Sequence, residues 1–239
     1  MKRRDLMVAG GAIFCVIGGR QLLLAQRSPF DFRDLSSLPG FRLLDAGPVS
    51  GARSMLVGLD AKDNAARVDQ IRANPRPALF PSAATGKLPI AIFGDFNCPY
   101  CRVISKHMVI VARTNPVVSV DWHDLALLGP GSERSLRAAT AARFQNAYLP
   151  VHETLMTRLL RPGPNALRTL ADDHGMDAAV FIEDQNSART QAFISDTNAV
   201  SDAMGIGVTP VTVVGKTLVI GAIALDDLDR LIDLEISEI

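Results

Sequence analysis

The chain has 239 residues, 48% of them hydrophobic and 21% charged, which is enough apolar material for one sizeable buried core. Its 25 Lys and Arg residues balance its 25 Asp and Glu residues, and no basic stripe stands ready to neutralise phosphates, so nucleic-acid binding is excluded as a function. The 3 cysteines are too few for a disulfide-stapled scaffold or a zinc site of four cysteines.

The first element is a targeting segment. Lys2-Arg3-Arg4 is a positive start, Leu6 to Gly19 is apolar and glycine-rich, and Arg20 separates it from Leu22-Leu23-Leu24-Ala25. The uninterrupted part is too short to cross a bilayer comfortably and fits the apolar region of an export signal. Arg3-Arg4-Asp5-Leu6-Met7 also resembles a twin-arginine signal. Ala25 could end the removed segment, although Leu23 is large where a small residue is preferred. An uncleaved segment would anchor the protein and contact the membrane. Residues 1–27 are therefore expected to be an export signal or anchor. Five of the basic residues and one acidic residue fall there, leaving a mildly acidic remainder of 20 basic and 24 acidic residues. Cys15 lies in that segment as well, so the mature chain keeps only Cys98 and Cys101.

Residues 28–86 read as an irregular extension, broken by Pro29, Pro39, Pro48, Pro75, Pro77 and Pro81. One helix is expected over 60–73, with Asp60 as N-cap and Ala65, Val68 and Ile71 at helical spacing. The extension either packs on the main domain or tethers it.

From Lys87 onward the signals sharpen into a domain over 87–239. Leu88-Pro89-Ile90-Ala91-Ile92-Phe93 is a buried-strand run. Cys98-Pro99-Tyr100-Cys101 follows and opens a helix through Val103, Ile104, His107, Met108 and Val111, which Pro116 closes. Residues 117–124 form a second strand, completing a βαβ unit that favours parallel pairing. A helical insert spans about 129–204. Ser132 is its first expected N-cap, Pro150 begins a further segment, and Asn165 and Asp177 are later N-cap candidates. Its last helix, 187–204, ends at Gly205. Then come a strand from Pro210 to Val214, a Gly215-Lys216 turn and a strand from Thr217 to Gly221, which together predict a hairpin. A final helix opens near Asp226 and carries Leu228, Leu231, Ile232 and Leu234. The order βαβ, insert, ββα defines an α/β fold with a central mixed sheet.

Cys98 and Cys101 sit where a buried strand hands over to a helix, and their spacing lets the two sulfurs close a small ring. A helix N-terminus favours the thiolate, but its dipole contributes at most ~2 kcal/mol, or about 1.5 pKa units. Stronger acidity needs direct N–H···S bonds from the turn. Cys98, preceding the helix, is expected to be the exposed nucleophile, and Cys101, one turn in, the shielded resolving thiol. The competing readings are half a metal site or an inert stapled turn. Thr209-Pro210 is the second feature: a cis bond there, beside the cysteines, would leave the Thr209 backbone free to pair with an extended substrate.

Three segments now carry a family resemblance. Phe93-Gly94-Asp95-Phe96-Asn97-Cys98-Pro99-Tyr100-Cys101-Arg102 resembles the active-site segment of the DsbA-like thiol–disulfide interchange proteins. The stretch from His123 to Ser132 resembles the turn into that family's helical insert. Gly207-Val208-Thr209-Pro210 resembles its cis-proline loop, and Val219-Ile220-Gly221-Ala222 its closing strand. The resemblance runs from about Lys87 to the C-terminus and does not cover the first 86 residues. It implies a thioredoxin-like fold and a periplasmic or membrane-tethered dithiol oxidase. Such an enzyme acts on unfolded or reduced exported proteins, is recharged by a membrane redox partner, and needs no cofactor or metal beyond the Cys98–Cys101 disulfide.

One position departs from the family. Related proteins often carry a buried acid six residues before the first cysteine, where this chain has Ile92. Cys101 must exchange a proton, so Asp95, Asp124 or water is the acceptor; Asp95 would otherwise cap the turn. A carboxylate near Cys98 would raise its pKa and oppose the helix dipole. Of the histidines, His107 reads as a surface or capping residue, His123 as a packing residue bordering the site, and His152 and His174 as solvated. The leading function is disulfide donation. Alternatives are a reductase or isomerase, and a module holding Cu(I) between the two thiolates.

Overall fold

The computed structural model describes residues 29–51 and 65–238. Met1–Phe32 and Arg33–Ile239 are separate units, and everything below belongs to the second. The expected export signal and Asp60, the expected helix cap, lie outside the described residues. Among the described residues no helix is long and apolar enough to cross a membrane.

The architecture grows from β3, Leu88–Asp95, whose eight residues are all buried. It pairs along its whole length in parallel with β4, Val118–Leu125, and antiparallel with β5, Val211–Val214, from Ile90 to Phe93. Pro89 precedes the stretch paired with β5, where a missing N–H costs little. Between β3 and β4 runs α3, Pro99–Thr114. Its buried residues Cys101, Ile104, Ser105, Met108 and Val111 recur at helical spacing and form one inward stripe. β5 turns through Gly215 and Lys216 into β6, Thr217–Ile220, with Val214 opposite Thr217, the two-residue hairpin read from the sequence. Gly215 has φ +57°, and a Cβ there would strike the buried Glu235 carboxylate, so glycine suits this turn position.

The described part of residues 28–86, a stretch expected to be irregular apart from one helix, holds two strands and two short helices. β1 (Arg33–Asp34) pairs antiparallel with β2 (Arg42–Asp45), and β2 runs parallel to β6, giving the six-stranded order β1-β2-β6-β5-β3-β4. β2 is only four residues long, so its partner edge on β6, far away in sequence, supplies the order that its own pattern does not. Helices α1, Ala65–Ala73, and α2, Arg76–Leu79, follow. Ile71, Leu79 and Phe80 bury against Ala91, Phe93 and Val213 of the sheet. Arg42 seals the join: it donates to the buried Glu235 at 2.8 Å and to Thr217 at 2.7 Å. Glu235 lies on the closing helix α9, Leu225–Ile236.

The insert holds α4 (Pro130–Arg143), α5 (Tyr148–Thr157), α6 (Pro164–Asp173), α7 (Ala178–Asp184) and α8 (Ala188–Ala203). The alanines of α4 let Val151, Leu155 and Phe181 close over Phe96 and the two cysteines in one apolar cluster. Asp177 caps α7 as expected, accepting from the N–H groups of Ala179 and Val180. Ser132 and Asn165 do not act as caps. Each follows a Gly-Pro start, with Gly129 and Gly163 at the N-cap, and lies inside the first turn.

Candidate active site

Cys98 is the N-cap of α3, in extended geometry, and Pro99 fills the first helical position. The backbone N–H of Cys101 donates to Cys98 Sγ at 3.2 Å, the direct N–H···S bond that the dipole argument called for. Both cysteines are free thiols. Hydrogen bonding from the Cys101 side chain is the largest influence on Cys98. Burial opposes it, while the Ser50 side chain, the Cys101 backbone and Thr209 add to it, and the net effect brings the thiol from 9.0 down to about 6. Burial pushes Cys101 strongly the other way, and its neighbour Cys98 adds to the rise. The two thiols are thus split into an acidic nucleophile and a protonated partner.

The expected exposure of Cys98 is corrected: its relative exposure is 0%. Thr209 and Ser50 lie against it. The Thr209-Pro210 bond is cis, and the Thr209 carbonyl oxygen sits 3.6 Å from Cys98 Sγ. The Thr209 backbone, expected to be free, is instead paired with Ser50 in both directions. Ser50 N–H donates to the Thr209 carbonyl at 2.7 Å, and Thr209 N–H donates to the Ser50 carbonyl at 2.9 Å. Of the central dipeptide, Pro99 is exposed and Tyr100 half-buried.

The two candidate carboxylates have different surroundings. Asp95 is fully buried and accepts four hydrogen bonds. One oxygen takes Asn97 N–H (2.8 Å) and the Ser132 hydroxyl (2.6 Å); the other takes the N–H groups of Leu127 (2.7 Å) and Leu128 (3.0 Å). It knots the turn before Cys98 to the turn that enters the insert, and Ser132, displaced from its expected capping role, is part of that knot.

Asp124 lies behind Cys101. It accepts from the Tyr148 hydroxyl at 2.8 Å and faces His152 Nδ1 at 3.2 Å. His152 Nε2 in turn meets Ser105 Oγ at 2.8 Å. Burial would raise Asp124, but His152, Arg143 and Tyr148 outweigh it and hold the carboxyl below its usual range. Arg143 also lies 3.4 Å from the Tyr148 ring centre and donates to the Trp122 carbonyl at 3.1 Å. The expectation that His152 is solvated is wrong: it is 1% exposed and packs against Trp122 and Phe96. Its one sequence signal was the four-residue spacing from Tyr148, which puts both side chains on one face of α5.

A cavity of about 10 Å³, room for roughly one water, is bounded by Cys101, Ser105, Asp124, His152, Ile92 and Pro210 among others. Ile92, which stands where relatives often carry an acid, lines the same space as Asp124 and His152.

The other histidines are structural. His107 pairs with Asp229 of α9 at 2.7 Å. His123 stacks on Phe93 and meets the Leu79 carbonyl at 2.9 Å, which joins α2 to the sheet. His174, expected to be solvated, is half-buried and bonded to Thr154 at 2.9 Å. Among the described residues no cluster of three or more His, Cys, Asp or Glu could hold a metal ion.

A dithiol split in acidity at a helix start, beside a cis-proline loop and beneath a helical insert, defines a thioredoxin-fold thiol–disulfide oxidoreductase. The DSBA-like thioredoxin domain family model matches residues 89–233, more than half of the chain, and the chain belongs to that family. Among solved structures it resembles the thiol-disulfide exchange protein alpha-DsbA2 from Wolbachia pipientis, at 19% identity and TM-score 0.61, covering 72% of this chain and 98% of that one. A thioredoxin-like oxidoreductase from Silicibacter pomeroyi DSS-3 matches at 29% identity and TM-score 0.58, covering 66% and 96%. A periplasmic thioredoxin-like protein from Salmonella enterica serovar Typhimurium matches at 22% identity and TM-score 0.57, covering 68% and 95%. No curated protein matches the sequence. Proteins of this family exchange disulfides through their own cysteine pair rather than through a bound cofactor.

Proposed function

We propose that this protein is a dithiol oxidase that donates the Cys98–Cys101 disulfide to reduced or unfolded exported proteins. The observation that carries this reading is the Cys101 N–H held on Cys98 Sγ at 3.2 Å, in a site that brings the Cys98 thiol down to about 6. A stabilised thiolate favours the reduced form of the pair, and that makes the disulfide a stronger oxidant and Cys98 a better leaving group.

The steps follow from the split. A substrate thiolate attacks Cys98 Sγ, the Cys98–Cys101 bond breaks, and Cys101 leaves with the electron pair and takes up a proton. A second substrate thiolate then attacks the substrate sulfur of the mixed disulfide. A substrate disulfide forms, and Cys98 departs as its thiolate. In the reverse, recharging direction Cys101 must surrender its proton. In this reading His152 takes that proton by way of Ser105 across the small cavity and the Asp124 carboxylate stabilises the imidazolium that forms, while Asp95 holds the turn. The Ser105, His152 and Asp124 side chains have the spacing of a general-base relay, but with exposures of 3%, 1% and 5% they can reach no external substrate. The thiol at the same cavity is Cys101. The Thr209 backbone at the cis-proline loop would pair with the substrate segment.

The basic-then-apolar N-terminus and a mature chain holding one cysteine pair support action outside the cytosol, with a membrane redox partner for recharging. Equilibration of the pair against a glutathione buffer tests the direction. A potential near ~−120 mV supports the oxidase, and one near thioredoxin's, ~−270 mV, makes the protein a reductase.

A further inference from the structure

The main-chain edge offered to substrate by Thr209 already has an occupant from this chain. After β2, Ala46 N–H donates to the Ile220 carbonyl at 2.9 Å and Ala222 N–H donates to the Pro48 carbonyl at 3.0 Å. The approach is close enough to require glycine on both sides. Gly221 has φ +92°, and a Cβ there would strike the Gly47 carbonyl; a Cβ on Gly47 would come within 2.5 Å of the Ala222 carbonyl oxygen. The chain then reaches Ser50, whose two hydrogen bonds to Thr209 form an antiparallel bridge. Gly51, at φ +82°, passes over Leu127 and Leu128, the turn that Asp95 holds.

We propose that residues 47–51 are a built-in pseudosubstrate strap, with Ser50 standing where the cysteine of an extended peptide substrate is positioned during exchange. This deepens the oxidase reading and rests on its assignment of Thr209 as the peptide-pairing edge. An antiparallel bridge to the residue before Pro210, whose carbonyl oxygen lies 3.6 Å from Cys98 Sγ, brings the strap to that thiol, and the Ser50 side chain helps to lower its pKa. Serine differs from cysteine by one atom, so it fills the position but cannot form a disulfide. The strap also explains why the nucleophile is fully buried although it lies at the start of its helix. A substrate must lift it, and the affinity of the site for peptides is reduced by the fraction of molecules in which it is closed. The substrate class that fits is an extended segment with a cysteine flanked by residues able to pair in strand geometry.

Two variants of the full chain test this. The first combines Ser50→Cys with Cys101→Ser. Dithiodipyridine activates one of its two site thiols and the other displaces the pyridinethione, so one S–S bond breaks and one forms. The expected product is a disulfide between Cys98 and the thiol introduced at position 50, found by peptide mapping under non-reducing conditions; separate alkylation of both thiols would overturn the proposal. Ser50→Pro deletes the N–H that holds the strap on the Thr209 carbonyl. In this variant, iodoacetamide modification of Cys98 and exchange with a short cysteine peptide should each accelerate about tenfold, the worth of a backbone pair. Unchanged rates in a folded Ser50→Pro protein would overturn the strap. Failure of the oxidase reading looks different: wild type and S50P alike would not exchange with the peptide, while cross-linking and alkylation would still report the strap. If S50P does not fold, the cross-link decides.

Discussion

The Cys101 backbone N–H donates to the Cys98 sulfur, nitrogen to sulfur 3.2 Å, so the resolving residue itself stabilises the thiolate of the attacking residue. A helix dipole alone lowers a thiol pKa by about 1.5 units. The larger displacement here, from 9.0 down to about 6, comes from bonds made to the sulfur after burial has been overcome. Thiolate absorbance of the reduced protein should therefore titrate with a midpoint near 6 and not near 9.0. A single midpoint near the ordinary value would remove the basis of the oxidase assignment.

Linkage turns the same shift into a stability difference. The depressed Cys98 pKa stabilises the folded reduced protein fully above pH 9.0, progressively less as the pH falls, and not at all below about 6. The oxidised protein has no such thiolate. The stability of reduced relative to oxidised protein, from denaturant unfolding, should rise with pH across that window. A flat or falling difference would contradict the site electrostatics.

Asp124→Asn keeps the shape of the side chain but removes its charge from His152 and Tyr148. Reoxidation of the reduced pair at neutral pH should slow by ~10²-fold, within the usual range for loss of a general base, and recover as hydroxide replaces the relay. His152→Gln should show the same alkaline recovery. Stopped-flow fluorescence of the single tryptophan, Trp122, which lies beside His152, can follow the step. A uniform loss at every pH would mark Asp124 as merely structural.

Asp95→Ala should act through stability. It strands four donors, three backbone N–H groups and the Ser132 hydroxyl, at a cost of at least about 3 kcal/mol. Asp95→Asn should fold with a smaller loss and keep the wild-type pH profile of reoxidation. If D95N instead shifts that profile, Asp95 and not the His152–Asp124 pair serves the proton transfer.

Arg42→Ala tests whether the N-terminal extension belongs to the domain. It leaves the buried Glu235 without its cation and should cost about 3 kcal/mol in a single cooperative unfolding transition. A separate early transition would show that β1 and β2 melt independently.

The sequence alone determined the parts whose signals are local. The apolar run from Leu88, the Cys98–Cys101 spacing at the start of a helix, the glycine turn at 215 and the Asp177 cap are each written within a few residues, and each stands where it was read. Thr209-Pro210 was legible once the cysteine pair had been noticed.

Tertiary structure alone decided the rest. Ser105 and His152 are 47 residues apart, Cys98 and Thr209 111 apart, and nothing in either segment announces the other. His152 sits on a helix of weak amphipathic pattern, so only the packing of α5 against α3 reveals it as buried and bonded to Asp124. The four-residue β2 and the Ser50 bridge carry little order of their own, because a short extended segment gains its hydrogen bonds only from an edge that another part of the chain provides. Short-range patterns specify helices, turns and the reacting pair of sulfurs; which backbone edge is open and which buried side chain can take a proton depend on groups that meet only after the chain has closed on itself.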